Sequence, residues 1–246
     1  MDSKQPYPFR ATIGNDETAQ LPAAAFSGEI VVVDQERDVR AACRDLEAAG
    51  IVGIDTETRP CFRPGTRNRV ALLQLSTPSR CYLFRLCRIP LARDLLRLFE
   101  NPSVLKVGAA LHGDLAALHE LRHFREEGFV DLQPMMEEWG IEEKSVRKMS
   151  AIILGKRVSK AQRLSNWEAA TLTAQQQLYA ATDAWVCLRI YDTLLRTPKP
   201  AKRPRPQAPA LPPAPAAAQD AASAAGKPRR RRRPGRPRPK RTESTE

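Results

Sequence analysis

The chain has 246 residues, and its 40 Lys and Arg against 28 Asp and Glu give a formal net charge of +12 at pH 7. With 42% hydrophobic residues, it can form one ordinary core, so its length predicts one domain with appended segments. Residues 199–246 hold 14 basic and three acidic residues, which leaves 26 basic and 25 acidic residues in 1–198. The excess charge therefore belongs to an attached segment and not to the folded part.

Two classes of protein are disfavoured by the apolar pattern. No stretch approaches the roughly 18 consecutive apolar residues of a membrane-spanning helix. The N-terminus also lacks the apolar region of a secretory signal. We therefore expect a cytoplasmic protein without a membrane partner, associated with the nucleoid in a bacterium or located in the nucleus of a eukaryote. The five cysteines are scattered and contain no Cys-x-x-Cys pair, which predicts small core residues in a reducing compartment.

The first half of the chain predicts strands and one helix. Residues 1–28 carry Pro, Gly, Asn and Asp without periodicity, so we expect a poorly ordered leader. The folded domain is expected over 29–196. It opens with a strand, EIVVVD, and a helix, AACRDLEAAG, that ends at Gly50. The runs IVGIDTE, RVALLQLS and CYLFRL then read as three strands of a meander.

The second half predicts mainly helices. A helix, LARDLLRLFE, a buried strand, VLKVGA, and a helix, LHGDLAALHEL, precede a last strand at 129–132, and the chain then reads as helices to Arg196. The final helix begins at a capping box, Thr173-x-x-Gln176. The expected fold class is α/β, a mixed sheet flanked by helices. Residues 197–246 are predicted to be a disordered basic tail, since the last 48 residues hold 11 of the 21 prolines and no aromatic residue.

Two carboxylates stand on the strand IVGIDTE. Alternate side chains share one face of a strand, so Asp55 and Glu57 point the same way, with Cα atoms about 6.5 Å apart. At an effective dielectric constant of 20, their repulsion is about 2.5 kcal/mol, which a bound cation would remove. The alternative, that the strand ends at Asp55 and water hydrates both groups, stays open at this point.

Further carboxylates stand at the ends or on the faces of other core elements. Tyr179 and Asp183 are four residues apart on the final helix, in line with the apolar Val186 and Ile190. A carboxylate on a core-facing stripe needs a partner, unless Asp183 lies at the rim in water. Asp114 follows the buried strand at the start of a helix, where an acid alone stabilises the helix dipole. Together these carboxylates would converge on one cavity.

Three segments, VGIDTE, KVGAALHGD and LYAATDAWVCLRIYDTLL, resemble in order the three motifs of the DEDD 3′ to 5′ exonucleases. The third contains Tyr-x-x-x-Asp, the mark of the tyrosine subclass. With VALLQLS, YLF and RLSNW, the resemblance spans roughly residues 29–196 and is nearest to the Werner-type exonuclease domain and ribonuclease D. It implies an RNase H-like fold and hydrolysis of the terminal phosphodiester of a nucleic acid, with DNA and RNA both open.

The resemblance also implies roles for individual residues. By motif position, Asp55, Glu57 and Asp183 would hold one divalent ion, and Asp55 would bridge to a second ion that Asp114 supports through water. This all-oxygen ligand set suits Mg²⁺ or Mn²⁺. Tyr179 would orient the attacking water, since a pKa near 10 makes tyrosine a poor base at neutral pH. The alternative from another class is a noncatalytic nucleic-acid-binding protein on the same fold.

The segment KAQRLSNW, ahead of the final helix, is the predicted substrate-binding stretch. In the family that the chain resembles, this neighbourhood lies beside the substrate strand. Lys160 and Arg163 would contact phosphates, with Asn166 and Trp167 beside them. The open alternative is a solvated loop in which Trp167 fills the core.

A histidine pair fits a different chemistry. His119-Glu-Leu-Arg-His123 has the pattern of zinc peptidases. His112 is the one other histidine, so the third ligand would have to be an acid such as Glu142 or Glu143, and the pentad lies within a predicted helix. We therefore expect no zinc site; stoichiometric zinc with casein cleavage would favour the peptidase.

The C-terminal stretch KPRRRRRPGRPRPKR would attract any polyanion, with a steep salt dependence. Arg233-Pro-Gly-Arg-Pro resembles an AT-hook, although the usual order is Pro-Arg-Gly-Arg-Pro. We predict a nonspecific nucleic-acid tether, with a nuclear address as the alternative. The tether residues are Arg229, Arg230, Arg231, Arg232, Arg233, Arg236 and Arg238. Targeting is expected to come from this tail or from a protein partner, and the oligomeric state is left open.

Overall fold

The computed structural model describes residues 7–62, 65 and 68–200. Its strands are β1 (Glu29–Val33), β2 (Ile51–Thr58), β3 (Val70–Ser76), β4 (Arg80–Phe84), β5 (Leu105–Gly108) and β6 (Phe129–Asp131). They form one mixed sheet in the order β1-β4-β3-β2-β5-β6. β2, β3 and β4 make the predicted antiparallel meander, whereas β1 is parallel to β4, and β5 is parallel to β2 and β6.

Helices cover both faces of this sheet. They are α1 (Asn15–Gln20), α2 (Glu36–Ala49), α3 (Arg93–Phe99), α4 (Leu111–His119), α5 (Leu132–Met135), a 3₁₀ turn (Met136–Trp139), α6 (Val146–Leu154) and α7 (Ala174–Arg196). Apolar residues of α2, α3 and α4 share a core with Ile54 on one face of β2. α7 packs on the opposite face, against Leu72 of β3, Leu83 of β4 and Val107 of β5. The α/β architecture is the predicted one.

Two predicted helix boundaries are confirmed by the backbone. Gly50 ends α2 in the left-handed region, with φ of 68°. Thr173 and Gln176 form the capping box at the start of α7: Thr173 Oγ1 accepts from the Gln176 amide, and Gln176 Oε1 accepts from the Thr173 amide. α7 is 23 residues long and carries both Tyr179 and Asp183.

β2 approaches α7 closely at Gly53. A Cβ atom added there would lie 1.9 Å from the carbonyl oxygen of Ala184, so the contact requires glycine. We predict that Gly53→Ala lowers the free energy of unfolding by about 3 kcal/mol, because β2 and α7 must separate. Urea unfolding checks this. The control is Gly113→Ala, where the Cβ would meet nothing within 4 Å and stability should change by less than about 1 kcal/mol. Equal losses in both variants would contradict the close packing.

The expectation of a poorly ordered leader is wrong for residues 7–28. This segment contains α1, and Ile13, Ala24 and Phe26 are buried. The Phe26 amide donates to Thr182 Oγ1 of α7 at 3.1 Å, and Ala23 forms a bridge with Arg157. Single apolar residues at irregular spacing insert into the core here, so no periodic pattern marks the segment in the sequence.

The expectation of helices throughout 133–196 also needs correction. α6 ends at Gly155, which has a φ of 62°, and residues 155–173 then form turns without an α-helix. α4 begins at Leu111, the first residue of the predicted segment LHGDLAALHEL, and ends at His119, two residues before the end of that segment. The carboxylate of Asp131 accepts from the amides of Ala110 and Leu111 at 3.0 Å each. This cap from a distant strand fixes the start of α4, and local sequence does not reveal it.

The cysteines divide into two groups. Cys43, Cys81 and Cys187 are buried, as predicted, and burial raises the pKa of the Cys43 and Cys81 thiols to about 12. Cys61 and Cys87 are exposed, so the prediction of core positions is wrong for these two. Among the described residues, no helix is long and apolar enough to cross a membrane.

The predicted basic tail, 197–246, lies outside the described residues from 201 onward, and so do all seven tether arginines. Of its described part, Lys199 pairs with Glu138 at 2.5 Å and lies 5.2 Å from the centre of the Trp139 ring. The start of the predicted tail therefore contacts the folded domain.

Candidate active site

Three carboxylates meet between β2 and α7. Asp55 and Glu57 lie on the face of β2 that turns toward α7, and Asp183 comes from α7. Each offers an oxygen atom within 4.8 Å of the others, and all three side chains are partly buried. We name these three residues the acid cluster. Strand alternation places Asp55 and Glu57 together, and the close contact at Gly53 brings α7 near enough for Asp183 to join them.

The acid cluster carries strong mutual repulsion. Burial, and then the charges of Asp183 and Asp114, raise the pKa of Glu57 to about 8. Burial raises the pKa of Asp183 to about 7 and, with neighbouring charges, holds that of Asp55 well above its ordinary value. Without a cation, the acid cluster therefore retains protons near neutral pH. Three converging carboxylates with this property form an all-oxygen ligand set that fits a hard divalent cation.

Asp114 lies beside the acid cluster and is not a member of it. It stands in the first turn of α4, where its Oδ1 accepts from Thr56 Oγ1 at 2.5 Å. Burial raises the pKa of Asp114, and its charge in turn raises the pKa of Asp55 and Glu57. Thr56, between the two β2 acids, was not predicted as a site residue. In the sequence, only the position of Thr56 inside the segment IDTE indicates that it contacts the site.

Tyr179 lies one helical turn before Asp183, and its hydroxyl partly offsets the rise in the pKa of that carboxyl. Burial, followed by the charges of Asp183 and Glu57, raises the pKa of Tyr179 above its ordinary value. The phenol therefore stays protonated at neutral pH. It can position a bound group by donating or accepting a hydrogen bond, and it is a poor proton acceptor.

A cavity of about 170 Å³ opens beside the acid cluster. Its walls combine Asp55, Asp183 and Tyr179 with the cations Lys160 and Arg163. With Arg147, which also lines the cavity, three cations and two acids surround one opening, a combination suited to a phosphodiester together with a cation. The lining also includes three polar residues that the sequence did not single out, Ser145, Arg147 and Ser159. They come from the start of α6 and the turn after it, and only the tertiary fold brings them here.

The predicted substrate-binding stretch is divided by the structure. Lys160 and Arg163 are exposed and line the cavity, and the charge of Arg163 partly offsets the rise in the pKa of Glu57. Trp167 is fully buried against apolar residues that include Leu72, so the prediction of a substrate contact is wrong for it, and the core-filling alternative holds. Asn166 is outside the cavity lining; its Oδ1 accepts from the Glu168 amide and stabilises a turn.

Among the described residues, the histidine pair belongs to no group of three potential metal ligands. α4 ends at His119, so His119 and His123 do not share a helical face, contrary to the predicted helix through the pentad. His119 Nε2 lies 2.8 Å from Glu126, and the His119 ring stacks on Phe124 with centroids 4.2 Å apart. Within residues 7–62, 65 and 68–200, the acid cluster is the only group of three or more potential metal ligands.

Comparisons with known proteins identify the family of the chain. A model of the 3'-5' exonuclease family matches residues 30–197. The chain is 37% identical over 186 residues to the bifunctional 3'-5' exonuclease/ATP-dependent helicase WRN of Mus musculus, covering 71% of this chain and 13% of that protein. The chain thus spans a small part of that relative's length.

Solved structures show the same fold. The Nibbler EXO domain of Aedes aegypti has a TM-score of 0.59 and 26% sequence identity, over 68% of this chain and 88% of that one. Escherichia coli RNase D, an exoribonuclease involved in structured RNA processing, has a TM-score of 0.60 at 22% identity, over 69% and 44%. The RNase H-like fold expected from the motifs is confirmed. Since the family model covers more than half of the residues, the chain belongs to the 3'-5' exonuclease family.

Proposed function

We propose that this chain is a metal-dependent exonuclease that hydrolyses the 3′-terminal phosphodiester of a nucleic acid. The observation that carries the proposal is the acid cluster, with carboxylate oxygens from β2 and α7 within 4.8 Å of one another. The cavity beside it supplies cations for the phosphates of a strand. A noncatalytic role on the same fold is not favoured, because the chain retains all four motif acids and Tyr179.

Asp55, Glu57 and Asp183 would hold Mg²⁺ or Mn²⁺, and Asp114 would support a second ion through water. When bound, such ions make water more acidic and neutralise charge on the phosphate. The raised pKa values of the acid cluster support this assignment, since carboxyl groups that repel one another gain most from a divalent cation.

The other side chains would orient the reacting strand. Lys160 and Arg163 would contact phosphate oxygens at the cavity mouth. Tyr179, which lines the cavity one helical turn from Asp183, would position the attacking water by its hydroxyl. In this scheme the acids would hold the ions, and the protonated phenol of Tyr179 would only position the water. The raised pKa of Tyr179 agrees with this role.

The test of the proposal uses 5′-labelled DNA and RNA strands of one sequence, each with a free or a blocked 3′ end. We expect a ladder of products shortened from the free 3′ end, in Mg²⁺ or Mn²⁺ and not in EDTA. The comparison of the two strands also decides the substrate class. Failure to shorten either strand in both metals would contradict the proposal.

The basic tail would act as a tether. Residues 201–246 hold 13 Lys and Arg, so their removal should raise the KM for a long strand about tenfold at physiological salt and flatten the dependence of KM on salt concentration. The rate of the chemical step in single-turnover experiments should stay within about twofold, because the acid cluster is unchanged. An unchanged salt dependence after removal would contradict the tether.

A further inference from the structure

A second cavity, of about 440 Å³, lies at the same end of the sheet as the acid cluster. Among its lining residues are Arg69, Val70, Leu86, Arg88 and Glu168. No residue is shared with the lining of the cavity beside the acid cluster. We call this second cavity the arginine cleft.

The register of the sheet places the arginine cleft next to the reaction site. Val70 pairs with Thr58, the residue that follows Glu57 on β2. Because β3 is antiparallel to both β2 and β4, the start of β3 and the end of β4, which leads to Leu86 and Arg88, lie at this same end. Val70, Leu86 and Leu121 pack in the core under α2, α3 and α4, so the arginine cleft and the acid cluster lie at the same end of β2, and a strand held at the acid cluster would reach the cleft by passing that end.

The charges of the arginine cleft suit phosphates. Arg69 is exposed and has no ion pair within the described residues. Arg88 lies 3.7 Å from Asp34 and donates a hydrogen bond to the carbonyl oxygen of Ala170, which leaves most of its charge uncompensated. The one acid in the lining, Glu168, is paired with Arg59 at 3.3 Å. The arginine cleft therefore carries a net positive charge. Guanidinium groups can bind phosphate oxygens through two parallel hydrogen bonds, so this charge favours phosphate as a ligand.

An exposed aromatic residue lies in the loop that follows β2. Phe62 is 84% exposed, the highest value among the large hydrophobic residues described. Its loop is anchored, because Asn68 Nδ2 donates to the carbonyl oxygens of Arg59 at 2.8 Å and Pro60 at 3.3 Å. Phe62 is the fourth residue after Thr58, so its Cα lies within about 14 Å of the end of β2 that pairs with Val70. Aromatic faces beside cationic grooves are typical of single-strand binding.

We infer that the arginine cleft binds the single strand on the 5′ side of the scissile bond, with Arg69 and Arg88 on phosphates and Phe62 stacked on a base. The inference rests on the proposed function, which supplies a strand whose 3′ end lies at the acid cluster. It adds a second binding region that a substrate of two nucleotides does not reach.

The test compares a 20-nucleotide strand with a dinucleotide, using the full chain. Phe62→Ala and Arg69→Ala should each raise the ratio of the two KM values about tenfold, because stacking and phosphate contacts are lost only for the long strand. Phe62→Trp, which keeps an aromatic face, should keep the ratio within about twofold of the unsubstituted chain. The matched control is Arg44→Ala, an exposed arginine on α2, which should leave both KM values unchanged.

Binding separates this inference from the proposed function. The Kd of a fluorescent 20-nucleotide strand, measured in EDTA by anisotropy, should rise about tenfold in Phe62→Ala and Arg69→Ala. A rise in Kd in a chain that shortens no strand would uphold the cleft and reject the proposed function. An unchanged Kd and KM ratio in both variants, with the ladder still formed, would reject the cleft and leave the proposed function standing.

Discussion

Asp183→Asn should lower kcat for release of the 3′ nucleotide at least about 1000-fold, with the fold unchanged. The substitution keeps the shape of the side chain and removes one of the three charges that would hold a divalent ion. Loss of the stabilisation that a metal gives to developing charge is worth several kcal/mol, so the expected effect is large. Asp55→Asn should behave in the same way, since Asp55 lies in the same cluster.

The measurement is single-turnover release from a labelled strand at saturating Mn²⁺, with circular dichroism to verify the fold. Tyr179→Phe should have a smaller effect, because it removes only the hydroxyl that positions water. Its rate of nucleotide release should fall about 10- to 100-fold, and its affinity for metal should be unchanged. An unchanged rate of release in Asp183→Asn would show that the acid cluster is not needed for the reaction, whatever the other variants do.

The metal-free chain should lose stability as the pH rises from 5 to 8. Glu57 has a pKa of about 8 in the folded chain against an ordinary value of 4.5, and Asp183 about 7 against 3.8. Between these values the folded state binds more protons than the unfolded state, so the free energy of unfolding falls with rising pH. For the coupled cluster we expect a loss on the order of 3 kcal/mol, which continues beyond pH 8 because Glu57 is only half ionised there.

A divalent ion should reverse this loss. Mg²⁺ or Mn²⁺ replaces the protons, so the stabilisation it gives should be larger at pH 8 than at pH 5, and about 2.7 kcal/mol at 100 times the Kd. Urea unfolding at the two pH values, with EDTA or with metal, measures both effects. Asp183→Asn is the control, because it removes one of the repelling charges and should show a weaker pH dependence in EDTA. Identical pH dependence of the two proteins would show that the acid cluster does not hold raised pKa values.

The parts of the site that could be predicted are those set by local periodicity. Asp55 and Glu57 alternate along a strand, and Tyr179 and Asp183 are one turn apart on a helix with a clear capping box. Such spacings survive folding unchanged. The resemblance of the three motifs to a known family implied that acids from separate elements share one site. The family itself is confirmed by the comparison.

The parts that could not be predicted depend on contacts between distant segments. Arg147 reaches the cavity only because α6 packs against α7. The start of α4 depends on the Asp131 carboxylate, twenty residues away. Trp167 beside two cations resembled a substrate contact, and its burial follows from the turn that precedes α7. In each case the deciding partner lies outside the local sequence window.

The most direct test of the central claim is a crystal of the chain soaked in Mn²⁺ and measured at the manganese absorption edge. We expect an anomalous peak bonded to carboxylate oxygens of Asp55, Glu57 and Asp183, and a second peak that shares Asp55. An acid cluster without an anomalous peak, in a protein that shortens strands only when Mn²⁺ is present, would contradict the account.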